Sequence, residues 1–163
     1  MLQTKQDISG TDQVKPSLVA NVMGELTGLQ GRMLVEEIYP NVARRLESFR
    51  VIESCDESES QASAETIELA YVTLSRIFYA VRDMGRMLPE PYTYLTPEGS
   101  IQFEWELGEK EFDLELSSHG PHVAYSFLLC PSPSPDTWQE ASDKVTAFRI
   151  SQLPCVQTFL SWL

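Results

Sequence analysis

Carboxylates at every second position mark two neighbouring stretches of this chain. The stretches are residues 101–107 (IQFEWEL) and 111–116 (EFDLEL), in which apolar and mostly acidic side chains alternate. This period of two is typical of half-buried antiparallel strands, whose successive side chains point to opposite faces of the sheet. The acids therefore share one face. We predict that this face contacts a basic partner protein through Glu104, Glu106, Glu111, Asp113 and Glu115.

The turn between the two stretches predicts how they pair. Gly108 precedes Glu109, and glycine at the first of two central residues is typical of a type II′ hairpin turn. A two-residue turn places Leu107 opposite Lys110, and every other pair follows from it. The apolar pairs are then Trp105–Phe112, Phe103–Leu114 and Ile101–Leu116, and the polar pairs are Glu106–Glu111, Glu104–Asp113 and Gln102–Glu115. Each directly opposed pair of like charges costs roughly 0.2–1 kcal/mol of stability.

A sheet face that lowers stability in this way has two main interpretations. The acids can dock a basic protein, with an association that charge steers and salt weakens. Alternatively, they can keep a small sheet from aggregating through its exposed face. A bound divalent cation is a third interpretation, although flat sheet faces seldom wrap around an ion.

Candidates for catalysis are sparse. His119 and His122 are the two histidines of the chain, and they flank Gly120 and Pro121 in a turn after the second acidic stretch. Together with the sheet carboxylates, they suggest a small metal-dependent hydrolase as an alternative function. The adjacent Ser118 is a poor metal ligand, however, and no phosphate-binding glycine motif occurs. We therefore predict no catalytic residues, no metal and no cofactor.

Composition limits the class of protein. The chain has 163 residues, which suits one domain, and 42% of them are hydrophobic, which is enough for a core. Its formal net charge of −12 argues against direct binding of nucleic acid, which requires a basic surface. The three cysteines form no C-x-x-C pair, and no signal peptide is recognised. No apolar run approaches the ~20 residues that a membrane helix needs. We expect a cytoplasmic protein that does not bind a membrane.

Helical patterns precede the acidic strands. We expect residues 1–15 to form a mobile arm and residues 16–50 to form a helical region, which Pro40 kinks or splits in two. Three glycines weaken this region as a self-contained helix, so a homodimer formed through residues 16–50 is an open possibility. After an acidic loop, apolar residues at helical spacing predict a helix over residues 63–85, with Ser63 as its N-cap.

The acidic stretches belong to a longer run of strands. Residues 89–130 fit a four-stranded antiparallel meander, with a Pro-Glu-Gly turn at 97–99 between the first two strands. The apolar face of this meander should pack on the preceding helix. We predict an α+β fold, with N-terminal helices followed by a four-stranded antiparallel β-meander and a C-terminal packing segment, in a single domain over residues 16–163.

The C-terminal segment, residues 131–163, contains three patterns. The proline-rich run at 131–135 predicts a stiff, extended linker, whereas the pattern of residues 138–150 fits a helix and a strand equally well. A last helix can begin at Pro154. This helix either covers the sheet or inserts Phe159 and Trp162 into a groove of a partner.

The region from residue 63 to residue 125 resembles a group of small, mostly uncharacterised bacterial proteins. Those proteins have a Ser-x-Glu-Thr-Ile-x-x-Ala helix, a proline-rich connection, a Pro-x-Gly turn and a strand that ends in Glu-Trp. The matching residues are Ser63, Glu65, Thr66, Ile67, Ala70, Pro89, Pro91, Pro97, Gly99, Glu104 and Trp105. Where the group usually has Trp-Asp-Gly, this chain has Cys55-Asp56-Glu57. The resemblance implies a helix packed on a small meander and a bacterial source, and it loosely suggests a role in a toxin-associated or defence system.

One functional hypothesis and two alternatives follow. We expect a non-catalytic, acidic protein-interaction subunit, such as an antitoxin-like, immunity or regulatory protein, that binds a basic or toxin-like protein. The five acids would provide charge, while the N-terminal helical region, Phe159 and Trp162 would provide apolar contact. The alternatives are the metal-dependent hydrolase and a homo-oligomeric structural subunit.

Overall fold

The computed structural model describes residues 28–50, 61–119 and 122–163 of the chain. The predicted arm, the first part of the helical region up to residue 27, most of the acidic loop and the Gly120–Pro121 turn lie outside these residues. The described residues form helices and one antiparallel sheet, so the predicted α+β class is confirmed.

The helical region is divided in two at Pro40. Helix α1 includes residues 28–38, and helix α2 spans Pro40–Ser48. Between them, Tyr39 leaves the helical conformation, with φ −126° and ψ 64°. Pro40 occupies the first turn of α2, where its missing N–H leaves no hydrogen bond unmade. Of the predicted kink and split, the structure therefore shows the split.

Helix α3 spans Ala64–Asp83 and begins at the predicted N-cap. The Oγ atom of Ser63 accepts a hydrogen bond from the Thr66 N–H at 3.1 Å, which satisfies one of the free donors of the first turn. The apolar face of α3 is buried along the whole helix, at Ile67, Ala70, Tyr71, Leu74, Ile77 and Val81. Among the helices of the described residues, none combines the length and apolar character that crossing a membrane requires.

A polar network holds the first two helices to α3. Arg32 of α1 forms ion pairs with Glu47 of α2, at 2.6 Å, and with Glu68 of α3. The guanidinium of Arg32 also lies 4.6 Å from the ring centre of Tyr71, whose hydroxyl donates to Glu47 at 3.0 Å. Hydrogen bonds from Arg50, Arg32 and Tyr71 lower the pKa of Glu47, so this carboxylate stays ionised beside its partners.

The sheet has five strands, one more than predicted. The strands are β1 (Tyr92–Leu95), β2 (Ile101–Leu107), β3 (Lys110–His119), β4 (His122–Cys130) and β5 (Gln139–Val145). They lie side by side in chain order, and each runs antiparallel to the next. The additional strand, β5, falls within residues 138–150, whose sequence pattern fits a helix and a strand equally well. Only two of its seven residues are apolar, so it lacks the alternation that reveals a half-buried strand.

The predicted register between β2 and β3 is confirmed throughout. The turn that sets it contains Gly108, whose φ is 69°, a conformation that other residues rarely adopt. The pairs are Leu107–Lys110, Glu106–Glu111, Trp105–Phe112, Glu104–Asp113, Phe103–Leu114, Gln102–Glu115 and Ile101–Leu116. The like-charge pairs expected from the sequence are therefore present in the sheet.

One face of the sheet forms the core together with α3 and the C-terminal helix α4, which spans Pro154–Trp162. Aromatic rings fill the space between the sheet and α4. Phe159 stacks on Phe112 with ring centres 4.4 Å apart, and it contacts Trp105 at 5.1 Å. Stacked aromatic pairs stabilise a core beyond the area that they bury. The helices thus cover one face of the sheet and leave the other uncovered by described residues.

The proline-rich linker between β4 and β5 is folded back rather than extended. Residues 131–133 form bends, and a 3₁₀ turn spans Pro135–Thr137. The indole N–H of Trp138 donates to the Ser132 carbonyl at 3.1 Å, which closes the connection. This compact connection reverses the direction of the chain, so that β5 lies beside β4 and runs antiparallel to it. A second 3₁₀ segment, Ala147–Gln152, connects β5 to α4.

Phe159 and Trp162 belong to the packed helix α4 and not to a free anchor. Phe159 is fully buried, so a partner cannot reach it while the fold is intact. Trp162 is partly buried, and its ring lies 5.3 Å from the Lys110 ammonium. Of the two interpretations of the last helix, the structure shows the one in which it covers the sheet.

The central position of Phe159 predicts a large effect on stability. We expect Phe159→Ala to lower the free energy of unfolding by about 3–5 kcal/mol, because the cavity adds to the lost burial of the ring. Thr158→Ala, on the exposed side of the same helix, is the matched control and should change stability little. Urea denaturation of both variants measures the difference. Equal stabilities would show that α4 does not complete the core.

Candidate docking face

The uncovered side of the sheet gathers all five acids that the sequence placed on one face. Because direct partners in an antiparallel ladder point to the same side, the register decides which side chains are neighbours. One row crosses the five strands in the order Tyr92, Glu104, Asp113, Leu128 and Glu140. We call the acidic face the set of six carboxylates Glu104, Glu106, Glu111, Asp113, Glu115 and Glu140.

Three residues of this surface were not singled out from the sequence. Glu140 reaches the acidic face because β5 joins the sheet, a strand that its own pattern does not reveal. Tyr92 and Tyr94 border the face on β1 and are 56% and 41% exposed. Their alternation with the buried Thr93 is a period-two signal, which could have identified both rings as outward-facing.

Asp113 occupies the middle strand of the row and is only partly accessible to solvent. Its Oδ1 atom is buried and has no hydrogen-bond partner among the described residues. Desolvation, followed by the charges of Glu111 and Glu104, raises the pKa of Asp113 to about 7. A substantial fraction of the molecules therefore carries a proton on this carboxyl at neutral pH.

Glu104, directly opposite Asp113, is also partly buried among other carboxylates. Burial and then the neighbouring carboxylates Glu111 and Glu106 raise the pKa of Glu104. Several carboxylates of the acidic face therefore repel one another in positions where solvent screens their charges incompletely. A positive charge brought to this surface would relieve that repulsion.

A shallow depression lies in the acidic face between β3, β4 and β5. Its volume is about 220 Å³, and Asp113, Glu115, Ser126 and Glu140 are among the residues that line it. Three of these four side chains are carboxylic acids. The end of a lysine or arginine side chain carries only hydrogen-bond donors, which would complement these acceptor oxygens.

The two apolar residues predicted to bind the partner lie elsewhere. Phe159 and Trp162 are in the helical layer, on the opposite side of the sheet from the acidic face. The prediction placed these two residues with the acids as partner-binding residues, because the sequence pattern does not show on which side of the sheet α4 packs. The structure thus brings together the five acids and separates them from the two aromatic residues.

The histidines end the hairpin of β3 and β4, where His119 pairs with His122. In residues 28–50, 61–119 and 122–163, no group of three or more His, Cys, Asp or Glu residues is placed so that it could hold a metal ion. The hydrolase alternative therefore rests on the sequence alone.

Comparison of the chain with protein-family models, with curated proteins and with solved structures found no match.

The raised pKa of Asp113 predicts how stability changes with pH. The folded protein holds this proton up to about pH 7, whereas an unfolded aspartate releases it near pH ~3.9. The folded state therefore binds more protons in this window, and the contribution of Asp113 to the free energy of unfolding falls as the pH rises through it.

Asp113→Asn removes this titration at nearly constant shape. We expect the variant to be more stable than the unmodified protein by about 1–2 kcal/mol near pH 8, and to differ little from it near pH 4. Glu98→Gln, in the exposed turn before β2, is the control and should leave the pH profile unchanged. Urea denaturation at several pH values gives the profiles. A constant difference at all pH values would contradict a shifted carboxyl.

Proposed function

We propose that this protein is a non-catalytic interaction subunit that docks a basic protein onto its acidic face. The observation that carries the proposal is the register of β2 and β3, which sets Glu106 against Glu111 and Glu104 against Asp113. Such pairs oppose folding, and a cationic partner placed between them would turn repulsion into attraction.

The burial of Asp113 favours docking over a role in solubility. A charge that prevents aggregation acts by projecting into water, as the exposed Glu106 does. Asp113 has one oxygen buried without a partner, and its raised pKa keeps part of its population neutral. It is therefore a poor solubilising group, whereas its ionised form can accept a hydrogen bond from a cationic donor that enters the depression beside it.

The tyrosines at the border of the acidic face support the same kind of partner. Tyr92 and Tyr94 expose their rings next to the row that contains Glu104 and Asp113. Aromatic faces attract arginine and lysine, and carboxylates nearby add charge to that attraction. A surface that combines both fits an arginine-rich or lysine-rich protein segment better than it fits a neutral one.

The biological setting that we propose for this subunit rests on the resemblance of residues 63–125 to small bacterial proteins, which is a sequence-based expectation. We propose an antitoxin-like, immunity or regulatory role, in which the acidic face binds a basic or toxin-like protein. Apolar contact would come from α1, where Leu29 and Met33 are 57% and 60% exposed one helical turn apart. The same pair fits the homodimer expected through residues 16–50.

Charge reversal at one position separates docking from stability. Glu104→Lys places a lysine opposite Asp113, so we expect a modest gain in the free energy of unfolding, about 0.5–1 kcal/mol. If the acidic face docks a basic protein, the same variant loses affinity for it. Glu98→Lys changes net charge equally in an exposed turn and should change neither property much.

The measurement combines affinity purification with a binding curve. The tagged protein and both variants are used as bait in extracts of the source cells at low and high salt, and a captured protein is purified and titrated by calorimetry. One stoichiometric basic protein, held at low salt by the unmodified bait and by Glu98→Lys but about ten-fold more weakly by Glu104→Lys, supports the proposal. Equal affinity for all three baits, together with higher stability of Glu104→Lys, contradicts it and favours protection against aggregation.

A further inference from the structure

One row of side chains crosses the uncovered face of the sheet from edge to edge. Its members, one from each strand in turn, are Tyr92, Glu104, Asp113, Leu128 and Glu140, and we call them the central row. Neighbouring strands lie about 4.8 Å apart, so the central row presents one side chain every ~4.8 Å. A partner that lies across the strands must match this spacing.

The central row has a definite chemical order. Glu104 and Asp113 are neighbours, Leu128 follows them, and Glu140 ends the row on β5. Leu128 is partly exposed and does not belong to the apolar cluster that forms the core. A complementary surface therefore needs two cations, then an apolar group, then a third cation, at successive steps of about 4.8 Å.

The other charged residues of β5 lie outside the central row. Asp143 pairs with the core residue Tyr125, so the Asp143 side chain is directed to the helical side of the sheet. Lys144 is on the same face as Glu140 but four residues further along the strand, a separation of about 13 Å. The hydrogen bond from the Lys144 N–H to the Asp143 side chain therefore involves no residue of the row.

An α-helix matches the spacing of the central row. Helix residues i, i+3, i+7 and i+10 lie on one side of the helix, at about 0, 4.5, 10.5 and 15 Å along its axis. The four row residues from Glu104 to Glu140 lie at about 0, 4.8, 9.6 and 14.4 Å. The two series differ by less than ~1 Å at every position, a difference that the flexible side chains of a helix can absorb.

Extended segments fit the central row less well. A strand repeats its side chains on one side about every 6.7 Å, so it offers three of them between Glu104 and Glu140 and none over Leu128. A polyproline II segment repeats about every 9.3 Å, so it reaches either Asp113 and Glu140 or Glu104 and Leu128. Of these three regular conformations, the helix meets all four residues.

We propose that the basic partner places a helix across the strands, over the central row, with lysine or arginine at i, i+3 and i+10 and an apolar residue at i+7. This inference rests on the proposed docking function and specifies which element of the partner makes the contact. The cation at i+3 lies over Asp113, whose buried Oδ1 atom has no hydrogen-bond partner among the described residues. The residue at i+7 packs on Leu128, and the residue at i−4 lies over the exposed ring of Tyr92, which attracts a further cation.

Synthetic peptides test the spacing directly. The probe is a blocked, alanine-rich peptide with lysine at i, i+3 and i+10 and leucine at i+7. The matched control has the same composition, with its lysines at i, i+5 and i+10, which directs them to three different sides of a helix. Titration at low salt should show about ten-fold tighter binding of the probe than of the control. Circular dichroism should show that the probe becomes more helical when it binds.

A charge exchange tests the register. Glu140→Lys in the protein and lysine to glutamate at i+10 in the probe should each weaken binding several-fold, because each places like charges opposite each other. The two changes together should restore binding. Glu98→Lys makes the same change of charge in an exposed turn outside the row, and it should bind the unaltered probe much more tightly than Glu140→Lys does. Circular dichroism checks the fold of each variant.

The possible results distinguish the proposed helix from docking itself. Equal affinities of probe and control overturn the helix and leave docking of a basic protein in place. The helix is also overturned if the bound probe stays non-helical, or if the charge exchange does not restore binding. Failure of both cationic peptides to bind at low salt contradicts the helix and the docking proposal together.

Discussion

The burial of one face of the sheet under α3 and α4 is the interaction on which the rest of the structure depends. Trp105 and Phe112 project from β2 and β3 into the helical layer, where Phe159 stacks against them. Since side chains alternate between the two faces along a strand, the residues next to each of these aromatics in its own strand must point the other way. Within the described part of the chain, the helices lie on the aromatic side, so the acids on the other side are open to solvent or to a partner.

This one-sided arrangement explains why the acidic face is electrostatically unfavourable and yet maintained by the fold. Moving Glu104 or Asp113 to the helical side would require a shift of register by one residue, which would also expose the aromatic core. The hydrophobic burial of several large rings outweighs the repulsion of a few carboxylates by a wide margin. The fold can therefore hold Asp113 partly buried beside other acids, with its pKa raised to about 7, without losing its register.

The two edges of the sheet are protected from pairing with other chains in different ways. β1 has four residues and follows Pro91, and a short edge beside a proline resists pairing with other strands. β5 has seven residues, no proline and charges of both signs. The exposed charges of Glu140, Asp143 and Lys144 hinder the pairing of this longer edge with strands of other chains.

The elements that the sequence predicts correctly are those with local signals. Ser63 caps α3, Pro40 separates two helices, and Gly108 sets the register that pairs Glu104 with Asp113, because capping, proline geometry and turn chemistry act within a few residues. The packing site of α4, the pairing of β5 with β4 and the burial of Asp113 are seen in the folded structure and not in the sequence pattern. These depend on contacts between residues distant in the chain. The sequence alone is compatible with Phe159 in the core or in contact with a partner, and its neighbours in the structure show that it is buried. The polar strand β5 has no alternating pattern, and its pairing with β4 is what identifies it as a strand.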